Sequence, residues 1–149
     1  MAQSLKDRIK ADAVEARKAK DRRRTTLLTM TLSEIRNHEI EKGRDATDQD
    51  VIEVVGRAIK QRKDAADQMR DGGRSELAEK EDEEARLLEA YMPEQLSEDE
   101  VRERVREIIA GGADSIGPVM GRLMPEIKGR FDGKEANRVV REELDAAGG

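Results

Sequence analysis

An all-α fold is predicted by three features of this 149-residue sequence. Leu, Ile, Val and Met recur three and four positions apart nearly throughout, the period of an amphipathic helix. Ser, Thr or Asp starts and glycine stops bracket the periodic stretches. Charged residues make up 42% of the chain against 36% hydrophobic, well above the roughly 25% charged of an average domain. Such a chain buries narrow stripes, as helices with one apolar face do. Disorder competes for the same composition, but charges of both signs and sustained periodicity argue against it.

Ser4, with Asp7 three residues on, opens a first helix whose stripe is Leu5, Ile9, Ala13 and Ala16. From Thr25 the apolar content rises through Leu27, Leu28, Met30, Leu32, Ile35 and Ile40, and the pattern stops at Lys42-Gly43, a terminal cation followed by glycine. No Gly or Pro separates these two helices. A break is placed near Lys20–Arg22, with one continuous helix as the alternative. Thr47 and Asp50 open a third helix carrying Val51, Ile52, Val55, Ile59, Ala66 and Met69, which ends at Gly72-Gly73. Ser75 is read as the cap of a fourth, with Leu77, Leu88, Tyr91 and a dense charged face from Glu79 to Arg86. Short glycine-marked connections imply an N-terminal antiparallel helical bundle over residues 1–92.

Tyr91-Met92-Pro93 is a break, because proline forces its predecessor out of the helical region and cannot continue a helix. The boundary is placed at residues 93–96. A small C-terminal module of about three helices follows over residues 97–147. Ser97 and Glu100 box its first helix, which carries Val101, Val105, Ile108 and Ile109 and closes at Gly111-Gly112. Gly117-Pro118 suits the first turn of the next, with Val119, Met120, Leu123, Met124 and Ile127 before Gly129. Asp132 and Glu135 box the last.

Several function classes lack their parts. With no cysteine and a single histidine, His38, neither a thiolate nor a His-based metal site is expected, and no cofactor is implied. His38 is expected at the surface or its boundary, near Glu34, Glu41 and Lys42. No apolar run approaches the roughly 18 residues that span a bilayer, and the first residues lack a signal-peptide core, so the cytoplasm is the expected location and no membrane the expected partner. Asp7, Asp12, Glu15 and Asp21 distinguish the basic start from an organelle transit peptide. No activated Cys, no amidase-like Gly-rich serine context and no G-x-x-x-x-G-K-[ST] loop is present, so no catalytic residue is assigned. Glu81-Asp82-Glu83-Glu84 reads as a solvated helix face with partners four residues away.

A net charge of −5 argues against nucleic acid, but the charge is unevenly placed. In the last helix Lys134, Arg138 and Arg141 fall within roughly 60° of one another at 100° per residue, opposite Ala136, Val139, Val140 and Leu144. Lys128 and Arg130 lie at the turn before it and Arg122 one or two turns earlier. A polyanion, most simply the sugar-phosphate backbone, suits this face; a merely solvated face is the alternative. Arg22-Arg23-Arg24 either joins such a surface or pairs with the acidic fourth helix, the second being favoured. Tyr91 and Phe131 are the chain's two aromatics, too few to stack bases, so shape and phosphate are what RNA binding would read. Phe131, just before the cap, is expected to pack as a hydrophobic staple.

The run GPVMGRLMPEIKGRFDGKEANRVVREEL, residues 117–144, resembles the GatB/YqeY signature. Upstream, Leu32-x-x-Ile35-x-Asn37-x-Glu39-Ile40-Glu41-Lys42-Gly43, then Ile59-Lys60-Gln61-Arg62, then Tyr91-Met92-Pro93-Glu94-Gln95-Leu96-Ser97 are similar to stand-alone YqeY proteins. The resemblance implies an all-helical, two-part fold. In the amidotransferase B subunit, the corresponding tail domain helps hold the misacylated tRNA. Carried over, that role makes Lys128, Arg130, Lys134, Arg138 and Arg141 candidate phosphate contacts, with Arg122 beside them. Gly129, Asp132 and Gly133 are expected to shape the turn and cap, and Asn137 to cap or to bond RNA, the structural role being favoured. The family's label, carbon–nitrogen ligase with glutamine as amide donor, describes its larger relatives. The expected function is a non-catalytic, tRNA-associated accessory protein. An adaptor docking an amidotransferase or aminoacyl-tRNA synthetase and an enzyme in its own right are the alternatives.

Overall fold

The computed structural model describes residues 3–148 and is all-α, with seven helices among the described residues: α1 (Leu5–Lys18), α2 (Arg22–Lys42), α3 (Asp48–Asp71), α4 (Ser75–Glu89), α5 (Glu98–Ala110), α6 (Ile116–Ile127) and α7 (Gly133–Gly148). It divides into two compact units, Met1–Met92 and Pro93–Gly149. None of the described helices is long and apolar enough to cross a membrane.

In the first unit α3 packs on α4, α1 on α2, and α2 on α3. Ile9 of α1, Leu27, Leu28 and Ile35 of α2, Val51 and Val55 of α3 and Leu88 of α4 share its core. Ser4 caps α1 by accepting from the amide of Asp7. Thr47 and Asp50 form a reciprocal capping box at α3. At the end of α2, Gly43 takes the left-handed conformation at φ 70°.

The break between α1 and α2 has no glycine. Lys20 takes φ 60° instead, and the amide of Asp21 bonds back to the carbonyl of Ala16 at 2.9 Å. A left-handed lysine costs roughly 1–2 kcal/mol, offset in part by Asp21, whose side chain caps α2 at Arg24. The second helix therefore starts at Arg22, three residues before its apolar pattern. Ser75 is not a cap: it is the first residue of α4, and Arg74 precedes it without a side-chain bond to the helix. Leu77 is exposed, while Ala78, Ala85 and Leu88 are buried. Small residues on this face let α4 approach α3 closely, and Leu77 falls outside the contact.

Tyr91 closes the first unit. Its ring is 4% exposed, its hydroxyl donates to Asp12 at 2.5 Å, and the Arg8 guanidinium lies 4.9 Å above the ring centre. Burial, and then the neighbouring Asp12 carboxylate, push the phenol up to about 12.

In the second unit α5 packs on α7 and on α6, and α6 on α7. Val101, Val105, Val119, Leu123, Ile127, Ala136, Val139 and Val140 are fully buried together. Residues 94–96 are tied into this unit rather than forming a loose link: the Leu96 amide donates to the Arg130 carbonyl at 2.8 Å, and Leu96 enters the core. Pro125 sits in the last turn of α6, where its missing N–H removes the helical donor to the carbonyl of Gly121, four residues back.

Removing the Thr47 cap by Thr47→Ala should cost about 1 kcal/mol. Leu123→Ala, at a fully buried position, should cost roughly 2–5 kcal/mol. Urea unfolding followed by circular dichroism checks both; Leu123→Ala matching its parent would contradict a packed core in the second unit.

Candidate functional site

The cations of the second unit divide into two classes. Arg102 of α5 bonds Glu98 at 3.1 Å, Glu142 at 2.9 Å and Glu143 at 3.2 Å. Arg106 pairs with Glu143. Arg138 of α7 pairs with Glu98, with Glu135 at 2.9 Å and with Glu142 at 2.8 Å. These contacts join the edges of α5 and α7 above a shared valine core. The donated bonds and nearby positive charge hold Glu98, Glu142 and Glu143 below the ordinary carboxylate value; Arg102 is the main cause for Glu98 and Glu142, and Arg106 for Glu143. Arg138 and Arg102 are raised correspondingly, chiefly by Glu135 and Glu142.

Lys134, which the helical wheel placed beside Arg138, is exposed and makes no ion pair among the described residues. Arg122 is the same. Among the described residues Arg141 donates only to the neutral Asn137 Oδ1, at 2.8 Å. Arg130 donates to the carbonyl of Glu94 at 3.0 Å, and the Gly129 carbonyl in turn accepts from Gln95 at 2.9 Å. Arg130 and Gly129 are thus half of a clasp between residues 94–96 and the α6–α7 turn, with Gly129 at φ 75° making the bend. Lys128 is exposed at the same turn. Asp132 stands before Gly133, the first residue of α7, and its carbonyl accepts from Ala136 at 2.9 Å. Phe131 is partly buried against the core.

In the first unit, Arg23 reaches Glu83 at 2.8 Å, whereas Arg24 approaches Asp12 at 3.9 Å and Arg22 makes no ion pair among the described residues. The acidic face of α4 is neutralised largely from other helices: Arg62 holds Glu84 at 3.3 Å, Lys63 holds Glu89 at 3.0 Å, and Arg70 holds Asp82. The expected partners four residues along α4 are not the ones used.

His38 is the clearest departure. It is 8% exposed, not a surface residue, and its Nε2 lies 3.4 Å from Asp50 Oδ1 of α3. Asp50 also accepts from Arg44 and from the Thr47 amide, which hold its carboxyl well below the usual range, Arg44 being the larger cause. His38 lines a cavity of about 280 Å³ together with Glu34, Asn37, Glu41, Arg57 and Gln61. His38 of α2 and Asp50 and Glu53 of α3 bring side-chain N and O atoms within 4.8 Å of one another, a cluster that sequence spacing does not reveal because its members come from two helices and Asp50 already reads as a cap partner.

A sequence model for a family described as "Yqey-like protein" matches residues 6–144. Among similar proteins, "Altered inheritance of mitochondria protein 41, mitochondrial" of Pyrenophora tritici-repentis is 28% identical over 145 residues, covering 93% of this chain and 80% of the relative. The protein of the same name from Kluyveromyces lactis is 32% identical over 129 residues, 85% of this chain and 68% of the relative. That from Clavispora lusitaniae is 31% identical over 109 residues, 71% of this chain and 63% of the relative.

Because Glu98, Glu142 and Glu143 are lowered from an ordinary value of 4.5, their stabilisation is complete above that value and is lost as pH falls through the lowered folded values. The thermal midpoint of the chain should therefore drop as pH is lowered below about 4.5, and the drop should shrink in Glu143→Gln. An acid limb of the same size in that variant would dissociate the network from acid stability.

Proposed function

Since the chain belongs to the YqeY-like family, we propose that it is a non-catalytic accessory protein that binds structured RNA, tRNA first among candidates, through its second unit. The observation that carries the reading is the division among that unit's cations. Arg102, Arg106 and Arg138 are neutralised by carboxylates. Among the described residues, Arg122 and Lys134 present exposed charge with no ion pair and Arg141 bonds only a neutral amide oxygen. These three form the proposed phosphate-contacting set, and Lys128 is added for its exposed position at the adjoining turn. Arg138 leaves that set for the helix-joining network, and Arg130 serves chiefly as the clasp.

Nine Lys and Arg stand against thirteen Asp and Glu in residues 93–149, so attraction to a polyanion is local. Binding should be weak and steep in salt. The sequence has no cysteine, no amidase-like serine context and no phosphate-binding loop, and we assign amidation to the larger relatives. A protein adaptor is the second reading, favoured by Met30 and Ile40 of α2, which are 51% and 70% exposed. The cytosol is the proposed compartment, the mitochondrial designation belonging to the relatives' names.

Fluorescence anisotropy with labelled tRNA tests the first reading. Four phosphate contacts should give a log K versus log salt slope of roughly −3. Lys134→Ala/Arg141→Ala should flatten it by roughly 1.5, whereas Arg138→Ala should leave it unchanged. A double variant binding as tightly, with the same slope, would sink the assignment. Capture of a protein partner after nuclease treatment, lost on Ile40→Asp, would favour the adaptor.

A further inference from the structure

α2 and α3 bring together His38, Asp50 and Glu53, whose ligand atoms all lie within 4.8 Å of one another. Asp50 and Glu53 are three residues apart on α3 and share a face, while His38 comes from the facing helix. Helical proteins hold metal ions between helices with this kind of carboxylate and imidazole set.

The histidine supplies the independent observation. It is 8% exposed, and its Nε2 is shut off from solvent without a hydrogen-bond partner. Asp50 Oδ1 lies 3.4 Å away, within ion-pair reach, and the Asp50 carboxylate already serves Arg44 and the Thr47 amide. The imidazole nitrogen beside Asp50 and a carboxylate oxygen each from Asp50 and Glu53 thus form a donor set that one cation can share.

We propose that His38 Nε2 and one carboxylate oxygen each from Asp50 and Glu53 bind a borderline divalent metal ion of the Zn²⁺ class. An imidazole among carboxylates suits such an ion, whereas Mg²⁺ and Ca²⁺ favour oxygen alone. Arg44 and the Thr47 amide form the outer contacts that fix the Asp50 carboxylate, and outer contacts of this kind tune affinity. Water completes the coordination. Arg44 also opposes a second cation by its charge, so the site should be weaker than one built from neutral surroundings.

The chain's single histidine makes the test direct. In a tag-free, chelator-treated full chain, Zn²⁺ should displace the one set of imidazole ring signals in the NMR spectrum, saturating at one equivalent and raising the thermal midpoint. The same concentration of Mg²⁺ should do neither. Glu53→Gln, a near-isosteric change at a half-buried position, should weaken Zn²⁺ binding at least about tenfold with helical circular dichroism unchanged. Ring signals that stay in place in a large excess of Zn²⁺ would overturn the site, as would a Glu53→Gln chain titrating like its parent.

Discussion

Most helices of this chain have only a narrow apolar stripe to bury, and the α5–α7 and α3–α4 pairs are closed at their edges by charge. Between α5 and α7 the core is valine on both sides, Val101 and Val105 with Val139 and Val140. Arg102, Arg106 and Arg138 then bridge its rim to Glu98, Glu142 and Glu143. Between α3 and α4 the buried residues include Ala66, Ala78 and Ala85, and Arg62, Lys63 and Arg70 reach across to the acids of α4. Exposed ion pairs contribute little singly. Networks sharing one arginine among three carboxylates fix which helix faces which, and the small apolar cores depend on that registration.

The same constraint governs what is left for a ligand. A cation that closes a helix pair is held by oxygens, and drawing it to a phosphate would leave those carboxylates unpaired. Arg138 is in that position. Arg122, Lys134 and Arg141 are not, and a salt-dependent RNA contact is most naturally sought among them. Arg130 and Gly129 illustrate a third outcome, in which signature residues are explained by backbone bonds to residues 94–96.

The helices were legible where local chemistry decides them. Ser4, Thr47 and Ser97 cap where their spacing predicts, and Gly43 and Gly73 turn left-handed at the stops. Lys20 was not recognisable as a left-handed turn, because lysine has no preference for that conformation and Asp21 caps α2 without an apolar residue beside it. Leu77 misled because hydrophobicity ranks it above Ala78, whereas close packing against α3 selects the smaller side chain. At the site, the faces of α7 follow from 3.6-residue periodicity, but Glu98 lies 40 residues from Arg138. No rule of local spacing joins them. His38 was judged by neighbours on its own helix, and the decisive one, Asp50, is on the next.

Tyr91 has a consequence for how the molecule can be observed. It is the chain's single tyrosine, and there is no tryptophan, so near-ultraviolet absorbance and emission come almost entirely from one ring. That ring is sealed in the first unit under Arg8, with its hydroxyl on Asp12, while the second unit holds only Phe131. The protein thus carries an optical label on one half and a nearly transparent other half. Melting seen through the tyrosine belongs to the first unit, and melting seen through peptide absorption belongs to both, so the gap between the two curves measures how independently the units unfold.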